Sequence, residues 1–145
     1  MAILLFLCMA TTLVRNTVWS NGISINEDII SKSPNKARGY LNLGILCAVN
    51  GNYDRATALF LRSLALDPGN ARAYENMGNV YTKQGLFEQA ISMYRMAISL
   101  DPFLPKLYYN RGIARLNLGR REQAVADFQQ SCSLGYLPAC EKTTP

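Results

Sequence analysis

A set of landmark side chains returns in this chain every 34 residues. Tyr40, Tyr74 and Tyr108 are in register, as are Asn42, Asn76 and Asn110, and Gly44, Gly78 and Gly112. The same step relates Gly51, Gly85 and Gly119, then Ala56, Ala90 and Ala124, then Phe60, Tyr94 and Phe128, while Pro34, Pro68 and Pro102 close successive units. A fixed period of this length constrains the fold strongly. Each unit must be one supersecondary element that buries its apolar face only against its neighbours, so the array is a solenoid. Such a chain is expected to be a binding scaffold rather than a catalyst.

The clearest unit, Ala71–Leu104, shows what the element is. Ala73, Tyr74, Met77, Gly78 and Tyr81 are spaced by threes and fours, which puts them on one helix face. Gly85 falls where the chain must turn and where a positive φ is needed. A second stripe follows at Phe87, Ala90, Ile91, Tyr94, Ala97 and Ile98, and Asp101-Pro102 stops it, since proline disfavours helical geometry in the residue before it. Each unit is therefore an antiparallel helical hairpin, and the fold class is all-α. Gly78 and Ala90 mark places where only a small side chain lets the two helices approach. Ala90→Leu is expected to overpack that crossing and cost roughly 1–3 kcal/mol in a thermal melt.

Composition narrows the function. With 49% hydrophobic residues the chain is not disordered. Its net charge of +5 is spread thinly, with Arg120 and Arg121 the one adjacent basic pair, so no nucleic-acid partner is expected. Histidine is absent, which removes the commonest general base, the commonest metal ligand and every Ser-His or Cys-His arrangement. Cys8, Cys47, Cys132 and Cys140 form no CxxC pair, and the glycines occur singly, without a phosphate loop. No catalytic residue, no metal site and no cofactor is expected.

Residues Ala2–Val14 carry no charge and are followed by Arg15. As a helix, 2–14 falls short of the hydrocarbon core, roughly 30 Å thick; extension to Trp19 includes Arg15 and Asn16, which would have to snorkel. Three readings stand: a membrane anchor, a secretory signal cut after Ala10, and a buried helix capping the solenoid. No basic residue precedes the run, which weakens the signal peptide. We adopt the anchor over 1–19, with a half repeat at 20–36, three repeats at 37–138 and a truncated C-terminal cap at 139–145. An apolar helix starting this close to the first residue also reads as the tail of a longer chain. Arg15, Lys32, Lys36 and Arg38 lie C-terminal to the run, which favours a cytoplasmic solenoid; earlier spans would override that bias. The expected location is the membrane with the repeats outside the cytoplasm, in a bacterial periplasm, and the orientation stays open.

Residues 71–102, ARAYENMGNVYTKQGLFEQAISMYRMAISLDP, resemble the tetratricopeptide repeat consensus at nearly every landmark. Ala37–Asn70 and Ala71–Leu104 match well. Pro105–Pro138 departs from the pattern, with Arg111 and Arg115 at positions usually apolar and Tyr136 where proline is expected. Upstream, Trp19 aligns with Tyr53 and Phe87, so Ile23–Lys32 reads as the second helix of a unit. The resemblance, over residues 19–140, implies a right-handed superhelical array preceded here by the apolar N-terminal helix. The junction of apolar helix, RNTVW and KSPNKA is similar to that of polytopic membrane proteins of the O-mannosyltransferase type with C-terminal repeats. The chain would then be the non-catalytic tail of a membrane glycosyltransferase.

The resemblance also implies that first helices line a concave groove. By register its candidate lining is Arg38, Leu41, Ile45 and Val49, then Arg72, Glu75, Asn79 and Lys83, then Lys106, Tyr109, Ile113 and Leu116. Arg38, Arg72 and Lys106 make a row of cations one repeat apart, suited to acidic or C-terminal carboxylate groups of an extended peptide. The alternative is an ordinary solvated start of each helix. Leu41, Ile45 and Ile113 have a second reading as packing positions against an upstream part or the C-terminal cap. The family's chaperone-type carboxylate clamp is not reproduced: Asn76 and Lys106 hold clamp positions, but Leu41, Ile45 and Asn110 replace Lys, Asn and Arg. The expected partners are a protein or extended peptide of acidic character, and the membrane through the N-terminal helix. Asn42, Asn76 and Asn110 are expected to bond between hairpins, because a repeated polar residue is usually architectural. Cys132 and Cys140, eight apart in SCSLGYLPAC, resemble the helix-linking bridges of Sel1-like repeats; two reduced, half-buried thiols are the other reading. A bridge would imply an oxidising compartment. Cys47 is expected in the core.

Overall fold

The computed structural model describes residues 22–143, and every regular element among them is a helix. The first, α1, is helical over 22–32. It is followed by α2 (Ala37–Val49), α3 (Tyr53–Leu66), α4 (Ala71–Lys83), α5 (Phe87–Leu100), α6 (Pro105–Asn117), α7 (Arg121–Ser133) and α8 (Leu137–Cys140). The apolar segment 1–19 lies outside the described residues. Among those described, no helix is long and apolar enough to cross a membrane. The chain divides between Leu66 and Asp67 into two compact units.

The turn inside each hairpin has one design. After α4, Gly85 takes φ 76°, and the amide of Leu86 reaches back to Tyr81 O at 2.8 Å. That bond satisfies a carbonyl the helix end leaves orphaned, and a side chain at Gly85 would meet a strained backbone. The same closure recurs after α2, from Asn52 N to Cys47 O at 2.9 Å, and after α6, from Arg120 N to Arg115 O at 2.9 Å. At the other end of the unit, α4 begins on Asn70, whose Oδ1 accepts from Ala73 N at 3.2 Å.

In unit 1, α2 packs on α3 around Leu43, Cys47, Ala56 and Phe60, all at most 2% exposed. α1 closes on α2 at Gly39, where an added Cβ would stand 3.0 Å from Ile30 Cγ1. Cys47 is a free, buried thiol, as expected of a core residue, and burial pushes its pKa up. Ser63 Oγ, also buried, donates to Ala37 O at 3.0 Å.

In unit 2, α4 packs on α5, α6 on α7, α6 on α5, and α8 on α7. Each hairpin crosses where a glycine faces an aromatic ring. A Cβ on Gly78 would lie 2.6 Å from Tyr94 Cε1, and one on Gly112 the same distance from Phe128 Cε1. Ala90, at 0% exposure, is sealed at the crossing. α5 and α6 share one apolar cluster of Ala90, Ile91, Tyr94, Ala97, Leu107 and Ala114, with Tyr74 packed against it. Tyr108 adds a bond from its hydroxyl to Pro102 O at 3.0 Å, as Tyr40 does to Pro34 O at 3.1 Å in unit 1. The recurring tyrosine and proline are thus coupled in both units.

Two of the departures noted in the third hairpin, Arg111 and Arg115, prove to be one structure. Arg111 and Arg115 both reach Asp127, at 2.7 Å from Nη2 and 2.9 Å from Nη1 respectively. Arg111 also donates through Nε to Asp127 Oδ2 at 3.1 Å, making a fork. The Asp127 side chain is 4% exposed. Its register equivalents are Leu59 and Met93, while those of Arg111 are Leu43 and Met77, and those of Arg115 are Cys47 and Tyr81. Three apolar positions have become a buried acid held by two cations. Burial pulls the Arg115 pKa down, opposed by Asp127. Arg115 Nε is buried without a partner among the described residues.

Candidate functional site

The side chains read as groove lining fall in both units. In unit 1, Arg38 is exposed near the start of α2 and Ile45 is half-buried. Leu41 is 5% exposed, so it is core rather than a surface offered to a partner. An apolar side chain at that position gains more from burial than from waiting in water. Val49, by contrast, is 76% exposed.

In unit 2 the face is built by α4 and α6, which touch. Arg72, Lys83 and Lys106 are exposed, and Glu75 is half-buried. Burial pushes the Glu75 carboxyl above its ordinary pKa, while Lys106 and Arg72 pull it down. Asn79, expected to face a ligand, is part of the scaffold. Its Oδ1 accepts from Tyr94 Oη at 2.8 Å and from Asn110 Nδ2 at 3.1 Å. The Tyr94 hydroxyl, with its pKa pushed up to about 12 by burial, stays protonated and donates. Asn110 thus bonds between hairpins, as expected of the repeated asparagine. Asn76 does not: its Nδ2 donates to Arg72 O of its own helix at 2.7 Å.

Further along α6, Tyr109 and Ile113 are packed rather than presented. They join a cluster with Ala124, Phe128, Ala139, Cys132 and Tyr136. The Tyr136 ring stands edge-on to Tyr109 with centroids 5.1 Å apart, and Phe128 lies 5.6 Å from it on another side. Tyr136 fills the place where the consensus has proline. Cys132 and Cys140 are joined by a disulfide with Cα atoms 4.8 Å apart, which ties α8 to α7.

The face therefore offers three exposed cations, Arg72, Lys83 and Lys106, one half-buried acid, and a covered apolar end. Among the described residues no group of three or more His, Cys, Asp or Glu could hold a metal. Sequence reasoning missed Asp127, although a charge change at three register positions of one unit was the available signal.

Residues 46–85 and 78–119 match the family profile described as TPR repeat, and residues 105–134 match that described as tetratricopeptide repeat. The chain belongs to the tetratricopeptide repeat family. No curated protein matches the sequence. Among solved structures, the chain is similar to a crystal structure of MamA at 20% identity and TM-score 0.81, covering 89% of this chain and 77% of that one. It is similar to MamA from Desulfovibrio magneticus RS-1 at 19% identity and TM-score 0.80, covering 96% and 80%. A third is the first TPR of Spaghetti (RPAP3) bound to the HSP90 peptide SRMEEVD, at 26% identity and TM-score 0.71, covering 74% and 87%. The two MamA structures establish likeness of fold. The chain is a TPR protein–protein interaction scaffold.

Proposed function

We propose that the α4/α6 face of unit 2 holds an extended acidic peptide by its side-chain carboxylates, with Arg72 and Lys106 as the principal donors. The observation that carries this is the exposure of Arg72 and Lys106 on two helices that touch, α4 and α6, with Glu75 half-buried on α4. Charge-assisted bonds to carboxylates are roughly twice as strong as neutral ones. The peptide in the RPAP3 structure is itself acidic, which supports the partner class. Leu41 and Ile45 stand where a chaperone clamp would grip a terminal carboxylate, so the C-terminus of the peptide is not the anchor. The N-terminal segment 1–19 attaches the scaffold to the membrane with its repeats outside the cytoplasm; an oxidising compartment is where the Cys132–Cys140 bridge would persist. The same apolar segment supports the second reading, the tail of a membrane glycosyltransferase of the O-mannosyltransferase type. Sequence upstream of Met1 with further spans and an acidic catalytic loop would favour it.

A fluorescence anisotropy titration with a labelled Glu/Asp-rich peptide tests the binding face. The double variant Arg72→Ala/Lys106→Ala is expected to bind roughly tenfold or more weakly, about 1.4 kcal/mol, and amidation of the peptide C-terminus to change little. Equal affinity of variant and wild type would remove the proposal.

Glu75 supplies a pH signature. Its folded-state pKa lies above the ordinary value, so the folded chain takes up that proton more readily than the unfolded one. Its contribution to stability is then fully present below the ordinary glutamate range and is lost as pH rises through the folded value. Glu75→Gln is expected to melt higher than wild type at pH 7, to bind the acidic peptide more tightly there, and to lose both advantages towards pH 4. Parallel melting curves of the two proteins across that range would show the burial account to be wrong.

A further inference from the structure

The cluster at the end of α6 has a consequence for the binding face, and it rests on the reading just proposed. Tyr109 and Ile113 stand at groove positions of the register, yet Tyr136 and α8 cover them. α8 is one turn long, Leu137–Cys140. It buries Ala139 fully but leaves Leu137 76% exposed. An isolated turn of helix is not stable in water, because nucleation costs more than one hydrogen bond returns. The turn before it closes with a bond from Tyr136 N to Ser131 O at 3.1 Å, and the covalent link from Cys140 back to Cys132 ties the far end of α8 to α7. Both cysteines are only half-buried, which leaves the bridge open to attack.

We propose that the Cys132–Cys140 disulfide is a redox latch on the peptide face: closed, it holds α8 and Tyr136 over Tyr109 and Ile113, and opened by a dithiol it uncovers an apolar subsite next to the cations. The exchange balances. A thiolate of the dithiol attacks one sulfur of the bridge and forms a mixed disulfide; its second thiol closes on the first sulfur, leaving two cysteine thiols and a cyclic disulfide. Two electrons pass from dithiol to protein. The open face takes a different ligand class from the closed one. Closed, it reads carboxylates alone; open, it reads carboxylates followed by a leucine or phenylalanine that enters between Tyr109 and Ile113.

The test uses the full chain and two labelled peptides of equal charge, one carrying a leucine beside its acidic residues and one carrying alanine there. Anisotropy titrations are run with and without dithiothreitol. The leucine peptide is expected to bind roughly tenfold tighter after reduction, while the alanine peptide is unchanged. Cys132→Ser/Cys140→Ser should reproduce the reduced state without reductant. Tyr136→Ala should gain affinity for the leucine peptide with the bridge intact, which keeps the test valid if the double serine variant unfolds. Leucine-peptide affinity that ignores both reductant and Tyr136→Ala, or equal gains for both peptides, would overturn the latch while leaving the cationic face standing. Failure of both peptides to bind in either redox state would overturn the latch together with the face on which it depends.

Discussion

Asp127→Ala is expected to destabilise unit 2 by about 3–5 kcal/mol, because it strands two guanidinium groups that are largely out of water. The Arg111 and Arg115 side chains are 15% and 19% exposed, against 4% for the acid that pairs them. The loss measures the cost of an uncompensated charge, and the network itself need contribute little. The register supplies the control. Arg111→Met/Arg115→Tyr/Asp127→Met gives the third hairpin the residues of the second, and it is expected to be neutral or stabilising, since an apolar set of similar volume needs no desolvated ions. Denaturant unfolding of the three proteins checks both halves. A triple variant as unstable as Asp127→Ala would mean that the polar network is needed for this hairpin to fold.

The second large effect concerns the crossing of α4 and α5. Tyr94 is 1% exposed and its hydroxyl bonds to Asn79. Tyr94→Ala is expected to cost about 3–5 kcal/mol, the range for truncating a buried aromatic. The decisive part is a cycle with Gly78. Alone, Gly78→Ala drives its methyl into the Tyr94 ring, where three ring atoms would lie 2.6–2.9 Å away, and the overpacking is expected to cost roughly 1–3 kcal/mol. In the Tyr94→Ala background that ring is gone. Gly78→Ala should then stabilise by roughly 0.5–1 kcal/mol, since alanine is the better helix former. The same substitution changes sign. Equal effects in both backgrounds would show that glycine is there for another reason.

Much of this was legible in the sequence because the period repeats its own evidence. The hairpins, the glycine turns, the proline stops, and the small residues at crossings each recur two or three times, so local and global signals agree. The parts that were not legible are those where one unit departs from its siblings. Arg111 and Arg115 read as anomalies because their common partner, Asp127, lies on the other helix of the hairpin, 16 and 12 residues away. Leu41 read as groove lining by register, but register fixes direction and not what covers a residue. Tyr109 and Ile113 are covered by a segment that a disulfide ties to α7, and periodicity carries no information about a covalent tie. Asn79 shares its register position with Ile45 and Ile113, so nothing in the pattern shows that its carbonyl is already engaged by Tyr94 and Asn110.

The proposed carboxylate-reading face is formed by α4 and α6 together. Amide chemical-shift mapping of the 16.1 kDa chain, titrated with an acidic peptide, tests it most directly. The account predicts that the perturbed amides cluster at Arg72, Glu75, Asn79, Lys106 and their neighbours, with α5 and α7 outer-face amides such as Arg95 and Gln129 unmoved. Saturable shifts confined to α5 and α7, with Arg72 and Lys106 silent, would contradict it.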